Sequence, residues 1–234
     1  MRKVPNFGDD RQNGFCVHCG GRPETKDHAP SKVFLDMPHP IHMPTLQSCS
    51  DCNNGFSDDE EYLACFIECV ICGTTDPEKL RRDKIRKALA RNGRLRGRIK
   101  NSKREGQTYN GKSLLSWHPE ESCVRSVVLK LARCHAAYEL NEPQLEEPAH
   151  IGAFPLQTLS TDQLRDFETS PESGGWPEVG SRALQRVSSD GAAINVGGWL
   201  EVQEGRYRFM AVGAGNMIVR GVLSEYLGYE VIWE

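Results

Sequence analysis

The spacing of hydrophobic and polar positions predicts helices in the middle of the chain and strands near its C-terminus. Residues 57–72 carry apolar side chains at the three- and four-residue intervals of an amphipathic helix, and Gly73 follows as a helix-ending residue. Ser57 and Glu60 have the Ser-x-x-Glu spacing of a capping box, which predicts that this helix begins at Ser57.

The pattern beyond Gly73 predicts two further helices joined by a long connection. A basic helix is expected from about residue 77 until Asn92 and Gly93 interrupt it. Residues 93–118 are then polar and rich in glycine and serine, which favours a loop or a flexible hairpin. Another amphipathic helix is predicted to begin at Pro119 and to end before the Pro- and Glu-rich stretch 142–148.

The C-terminal part of the chain changes to the two-residue alternation of β-strands, with glycine-containing turns between them. Strands are predicted over residues 192–203, 206–213, 216–223 and 228–233. The chain is therefore expected to have an α+β fold with a helical middle and a C-terminal antiparallel β region. Its expected segments are an N-terminal module in 1–75, a basic helix and loop in 76–118, and an α+β region of unknown role in 119–234.

Two closely spaced cysteine pairs identify the chemistry of the N-terminal module. Cys16 and Cys19 form one CxxC turn, and Cys49 and Cys52 form the other. Two such turns can close one tetrahedron of sulfur ligands around a single ion, which is the usual arrangement of a structural zinc site. The sequence therefore predicts a structural Zn²⁺ bound by these four cysteines.

The composition and the N-terminal residues indicate the cellular compartment in which the protein is expected. No apolar run approaches the eighteen or so residues that a membrane-spanning helix requires, so no membrane association is expected. The N-terminal residues lack the apolar stretch of a signal peptide, and the nine cysteines are an odd number. Both observations argue against a secreted disulfide framework and predict a cytoplasmic protein.

A strongly basic segment lies within a chain whose formal charge is only −3. Between residues 79 and 104, thirteen Lys or Arg residues face the single acid Asp83, which gives the segment a charge of +12. Solvated helices normally interleave both signs, so this block predicts contact with the phosphates of nucleic acid. The side chains predicted to make that contact are Arg81, Arg82, Lys84, Arg86, Lys87, Arg91, Arg94, Arg96 and Arg98.

Three polar residues close to the cysteines have no role in binding zinc. Asp27 and His28 lie between the two pairs, and Asn53 follows the last cysteine directly. A neutral imidazole can deprotonate water near neutral pH, so His28 is a candidate general base. Asp27 suits a hard divalent ion, and Asn53 can supply a second oxygen ligand or hold the site in register. The alternative is a surface turn, or a pair that braces the zinc loop.

These motifs resemble the HNH endonucleases, in which a four-cysteine zinc site supports a ββα-metal finger. The matching residues are the two CxxC pairs, Asp27-His28-Ala29-Pro30, and Asn53 after the second pair. The resemblance covers about residues 14–66 and is strongest to a subgroup of largely unassigned biology. It implies that His28 is the general base and that Asp27 and Asn53 bind a catalytic Mg²⁺ or Mn²⁺.

One position departs from the family pattern. The family usually has an asparagine four or five residues before the second CxxC pair, where it orients the catalytic histidine through the backbone. Pro44 and Thr45 occupy those positions here. The orientation of His28 is then left to Thr45, to a main-chain carbonyl, or to no partner at all.

The sequence thus predicts a metal-dependent HNH endonuclease that hydrolyses phosphodiester bonds in nucleic acid. By the resemblance DNA is the expected substrate, although no residue excludes RNA. The alternative is a non-catalytic, zinc-containing nucleic-acid-binding protein with a degenerate HNH site, which the departure at Pro44 and Thr45 favours. A third alternative is that the acidic C-terminal region binds a protein or small-molecule trigger and that the nuclease is its effector.

Overall fold

The N-terminal module is a β-hairpin followed at once by two helices. The structure is a computed structural model that describes residues 14–40, 43–107, 113–171 and 198–234. Strand β1 (Thr25–His28) pairs antiparallel with β2 (Thr45–Ser48), and helix α1 (Ser50–Gly55) leads into α2 (Ser57–Cys72). The second CxxC pair begins α1, because Cys49 is its N-cap. The hairpin and the helix therefore converge on the cysteines.

The predicted helix over residues 57–72 is confirmed, but the predicted capping box is wrong. The N-cap of α2 is Phe56, which is itself helical and makes no side-chain capping bond. Ser57 lies inside the helix, and Glu60 turns into the protein interior instead of back toward the first turn. The end is as predicted, since Gly73 adopts the left-handed conformation with φ of 68°.

The basic segment contains two short helices and a hairpin, so the loop predicted from residue 93 is wrong in its first part. Helix α3 (Asp83–Arg91) is followed directly by α4 (Gly93–Asn101) and then by strands β3 (Lys103–Gln107) and β4 (Ser113–Trp117). Asn92 accounts for the second helix, because its Oδ1 accepts a hydrogen bond from the N–H of Leu95 at 3.0 Å. Leu95 and Ile99, one turn apart, are both buried.

Helix α5 (Glu121–His135) packs against α2 and against strands of the C-terminal region. It begins close to the predicted start and continues into a π-helical turn over Ala136–Leu140. One apolar cluster includes Phe34 and Tyr62 of the N-terminal module, Leu89 on α3, and Leu131 and Trp233 of the region after residue 118. The three segments therefore share a continuous hydrophobic core.

A five-stranded antiparallel sheet forms the C-terminal region, as predicted. Its strands are β5 (His150–Pro155), β6 (Leu200–Gln203), β7 (Tyr207–Ala214), β8 (Asn216–Leu223) and β9 (Leu227–Trp233), in the spatial order β5-β9-β8-β7-β6. The part of the first predicted strand before residue 198 lies outside the described residues.

Two elements that precede the predicted strands were not predicted from the sequence. Strand β5 is an edge strand with no fully buried residue, so its alternation is weak. Helix α6 (Thr161–Glu168) carries a complete capping box between Ser160 and Gln163, a local signal that the sequence does contain. In the described part of the chain, no helix is both long enough and apolar enough to span a membrane.

Candidate functional site

The four predicted zinc ligands converge. The Sγ atoms of Cys16, Cys19, Cys49 and Cys52 all lie within 4.8 Å of one another, and those of Cys19 and Cys49 are 3.8 Å apart. Sulfurs that share a tetrahedral zinc at a Zn–S distance of about 2.3 Å are separated by about 3.8 Å. The cluster thus has the ligand types and spacing to hold a metal ion such as zinc.

Backbone N–H groups point at two of these sulfurs, as expected for thiolate ligands. The N–H of His18 donates to Cys16 Sγ at 3.4 Å, and that of Cys52 donates to Cys49 Sγ at 3.3 Å. Burial would raise the pKa of the Cys16 thiol, but hydrogen bonds from neighbouring backbone groups lower it to about 6. Thiolate formation, which metal binding requires, is therefore favoured at Cys16.

Strand β1 sends its two candidate catalytic residues in different directions. Consecutive side chains of a strand point to opposite faces, and here Asp27 is only 4% exposed whereas His28 is half-buried. The oxygen Oδ1 of Asp27 accepts a hydrogen bond from the N–H of His28 at 2.8 Å. The two residues are thus connected through the backbone, while their side chains have separate surroundings.

A buried ion-pair network surrounds the Asp27 carboxylate. Lys130 on α5 places its Nζ 2.9 Å from Asp27 Oδ1, and the Nε2 of His18 lies 3.0 Å from Oδ2. Lys130 Nζ also donates to Ser31 Oγ at 2.7 Å and to the carboxylate of Glu60 on α2. The Lys130 side chain is 1% exposed. One ammonium thereby joins β1, the segment after it, α2 and α5.

The charges of this network stabilise one another. Burial would raise the pKa of Asp27, but the His18 hydrogen bond and the Lys130 charge hold it below its usual value. Burial would likewise lower the pKa of Lys130, but Asp27 and Glu60 hold it above its usual value. Asp27 is therefore a carboxylate and Lys130 an ammonium at neutral pH.

Sequence reasoning missed Lys130 and Glu60 as members of this site. The local spacing places Glu60 in a capping box, although its partner Lys130 lies seventy residues further along the chain. A signal for Lys130 does exist, because it lies between Val127 and Leu131 on the apolar side of α5. A charged residue in that position needs a buried partner.

His28 lies at the end of β1, directly opposite Thr45 on β2. Thr45 is one of the residues at the place where the family has its asparagine, so the register brings this position to the histidine. Burial and the nearby positive charge of Lys32 lower the pKa of the His28 imidazole, which favours its neutral form at pH 7. Lys32 in turn contacts the basic segment, because Lys84 Nζ donates to the Lys32 carbonyl at 3.2 Å.

Asn53 connects helix α1 to strand β1. Its Nδ2 donates to Thr25 Oγ1 at 3.1 Å, and that hydroxyl donates to the Ser48 carbonyl at 3.1 Å. The amide of Asn53 thus holds the helix that carries the second cysteine pair against the hairpin. This is the register-holding contact that the sequence offered as one alternative for Asn53.

The side chains as folded do not fit the predicted catalytic Mg²⁺ or Mn²⁺. Asp27 accepts hydrogen bonds from His28 and His18 and forms an ion pair with the Lys130 ammonium. A divalent ion on the same carboxylate would lie beside that ammonium in a buried, low-dielectric position, where like charges repel strongly. Asn53 directs its Nδ2 to Thr25 Oγ1, so the misfit depends on Asp27 and not on Asn53.

The predicted nucleic-acid contacts separate into exposed and interior residues. Arg81, Lys84, Lys87, Arg91, Arg94 and Arg96 are exposed on and around α3 and α4, and Arg86 is partly exposed. Arg86 and Lys87 share Asp83, at 2.7 and 2.6 Å. Lys84, Lys87 and Arg91 line an open cleft of about 570 Å³ between α2 and the α3–α4 junction, with Glu61 as its acidic member.

Arg82 requires correction as a predicted contact, whereas Arg98 is partly exposed and paired within the protein. Arg82 is buried: its guanidinium donates to Asp36 at 2.7 Å and to the carbonyls of Val33 and Leu35. Arg98 makes a bidentate pair with Glu120 and stacks over the Tyr62 ring at 4.8 Å. Arg82 therefore presents no charge at the surface, and that of Arg98 is already matched by a carboxylate.

Comparisons with known proteins do not assign this chain to a family. A scan against protein-family models, a search of curated proteins and a search of solved structures returned no match.

Proposed function

We propose that this chain is an HNH-type nuclease that hydrolyses phosphodiester bonds in nucleic acid, with DNA as the expected substrate and His28 as the general base. The supporting observation is the position of His28. It lies half-buried at the end of a hairpin held by the four-cysteine cluster, and the following segment contacts the basic helix α3 through Lys32 and Lys84.

The proposed chemistry uses groups of this chain only. The neutral imidazole of His28 accepts a proton from water as the water oxygen attacks phosphorus, and the bond from phosphorus to the leaving oxygen breaks. Lys32 and Lys84 supply positive charge near the phosphate, where negative charge develops in the transition state. The leaving oxygen takes its proton from solvent. Zinc in the cysteine cluster would hold the hairpin in shape without touching the substrate.

The decisive assay is cleavage of plasmid and single-stranded DNA by the zinc-loaded protein, with and without added Mg²⁺ or Mn²⁺. Loss of a general base reduces the rate about 10²–10⁴-fold, so His28→Ala should be nearly inactive. His150→Ala removes an exposed histidine from β5 and is the matched control, which should keep the wild-type rate. Cleavage that survives in His28→Ala would refute the proposed base.

A second candidate function is nucleic-acid binding without hydrolysis. The observation that favours it is the engagement of Asp27, the family's metal ligand, by Lys130 and His18. This candidate predicts that the protein binds DNA and does not cleave it under any metal condition. The cleavage assay thus separates the two functions when DNA binding is measured on the same preparation.

Both functions require the exposed basic residues to contact phosphates. Replacing Lys87, Arg91 and Arg94 together by Ala should weaken binding to all sequences alike. It should also reduce the slope of log affinity against log salt by about 0.7–0.9 for each phosphate that the variant no longer neutralises. Arg165→Ala, on α6, removes one exposed charge as a control and should leave the slope unchanged. An unchanged slope in the triple variant would rule out this surface.

A further inference from the structure

We propose that the Lys130 ammonium is the resident cation of the HNH-like hairpin and that it excludes a divalent ion from Asp27. Lys130 is then a positioning residue: it holds the Asp27 carboxylate, which in turn holds the backbone of His28. This inference rests on the contacts of Lys130, so it stands even if the protein does not cleave nucleic acid.

The first argument is the number of ligands that Lys130 already has. An ammonium offers three N–H donors, and the oxygens within its reach belong to Asp27, Glu60 and Ser31. Two of these groups are carboxylates and the third is a hydroxyl. This is an oxygen-rich environment of the kind that hard cations prefer, with the ammonium at its centre.

The second argument is that the surroundings of Lys130 offer its charge no alternative position. Its side chain is 1% exposed and starts from α5, whose neighbouring residues Val127 and Leu131 are completely buried in the core. The Phe56 ring lies 5.6 Å from Nζ. A divalent ion could replace the ammonium on Asp27 Oδ1 only if the ammonium were expelled into these apolar surroundings, where an unpaired charge is strongly disfavoured.

The third argument connects the network to His28. Asp27 Oδ1 receives both the Lys130 ammonium and the N–H of His28, so a single oxygen joins the cation to the end of β1. If Lys130 were removed, this oxygen would be free to rotate toward another cation, and the backbone at His28 would lose a fixed acceptor. The cation therefore determines both the metal preference of the site and the position of the imidazole.

The test uses Mn²⁺ alone as a paramagnetic probe and needs no substrate. Side-chain NMR signals of His28 are followed as Mn²⁺ is added to the zinc-loaded wild-type protein, with the exposed His150 as the internal control. The expected result is that His28 broadens no more than His150 up to millimolar Mn²⁺. Selective broadening of His28 that disappears in Asp27→Asn would overturn the proposal.

The variant arm asks whether Lys130 itself is the barrier. Lys130→Met removes the charge and keeps most of the length of the side chain, and Lys130→Gln also keeps an N–H donor for Asp27. At least one of them, once circular dichroism and zinc content show that it is folded, should bind Mn²⁺ at least tenfold more tightly than the wild type. The His28 signals should then broaden selectively. A folded variant in which His28 remains sharp would overturn the proposal.

Discussion

Removing the Lys130 charge should destabilise the fold far more than removing an exposed charge from the same helix. In Lys130→Met the methylenes of the side chain remain, while the carboxylates of Asp27 and Glu60 lose their ammonium. Leaving an uncompensated charge in a buried pair costs about 3–5 kcal/mol. Arg125→Met is the matched control, because its partner Glu147 is 70% exposed and such pairs contribute about 0–1 kcal/mol.

Urea unfolding of zinc-saturated protein, followed by tryptophan fluorescence, measures both changes. A loss of 3–5 kcal/mol in a chain of this size corresponds to a fall in Tm of roughly 6–20 °C. The double variant Lys130→Met with Glu60→Gln should recover part of the loss, because one of the two orphaned carboxylates is neutralised. A Lys130→Met cost as small as that of Arg125→Met would refute the conclusion that the network is buried and mutually compensated.

The pH dependence of the same measurement provides an independent test. In the wild type the folded pKa of Asp27 is held low, so its stabilising contribution is present above the unfolded value of about 3.9 and is lost as pH falls through the folded pKa. Removing Lys130 takes away a charge that lowers the pKa of Asp27, so the folded pKa rises and the carboxyl is protonated at a higher pH than in the wild type, which removes the penalty of its buried charge. The cost of Lys130→Met should therefore shrink as pH falls from 7, and a cost independent of pH would contradict this account.

Three further outcomes follow from the structure. Stripping the metal of the four-cysteine cluster with a strong chelator should unfold the N-terminal hairpin, which far-UV circular dichroism and proteolysis would detect, and adding zinc should restore it. Arg82→Met should cost about 1.5–3 kcal/mol in urea unfolding, since it removes the charged bond to Asp36, yet should leave the salt dependence of DNA binding unchanged. Gly221→Ala should cost about 1–3 kcal/mol because its Cβ would lie 2.4 Å from the buried Tyr229 ring, whereas Gly97→Ala, with no atom nearby, should be neutral or slightly stabilising.

Periodicity predicted the elements whose pattern is local and strong. The C-terminal strands and the end of α2 at Gly73 belong to this group, because alternation and a left-handed glycine act over a few residues. The loop or hairpin predicted from residue 93 was wrong only where α4 (Gly93–Asn101) forms, and the reason is also local. Asn92 ends α3 and also caps α4, so the signal that ends one helix and the signal that begins the next occupy one position.

The candidate site was predictable only where its determinants are close in sequence. The cysteine spacing sufficed to predict the cluster, and the strand that carries His28 lies between the two pairs. The environment of Asp27 depends on Lys130, which is more than a hundred residues away and reaches it through the packing of α5 against α2. No local pattern encodes that contact, although a lysine on an apolar helix face indicates that some buried acid must exist.

Residues outside a motif can thus change its chemistry even where the motif keeps its acidic residue and its histidine. Within residues 14–66, Asp27 and His28 have the order that the resemblance implies for a divalent metal site, although Pro44 and Thr45 depart from the family pattern. Helix α5 brings an ammonium to the same carboxylate, and in the proposal above this ammonium excludes a divalent cation from it. Under that proposal the two residues have different roles: the environment of His28 suits a base, whereas Asp27 links that histidine to Lys130.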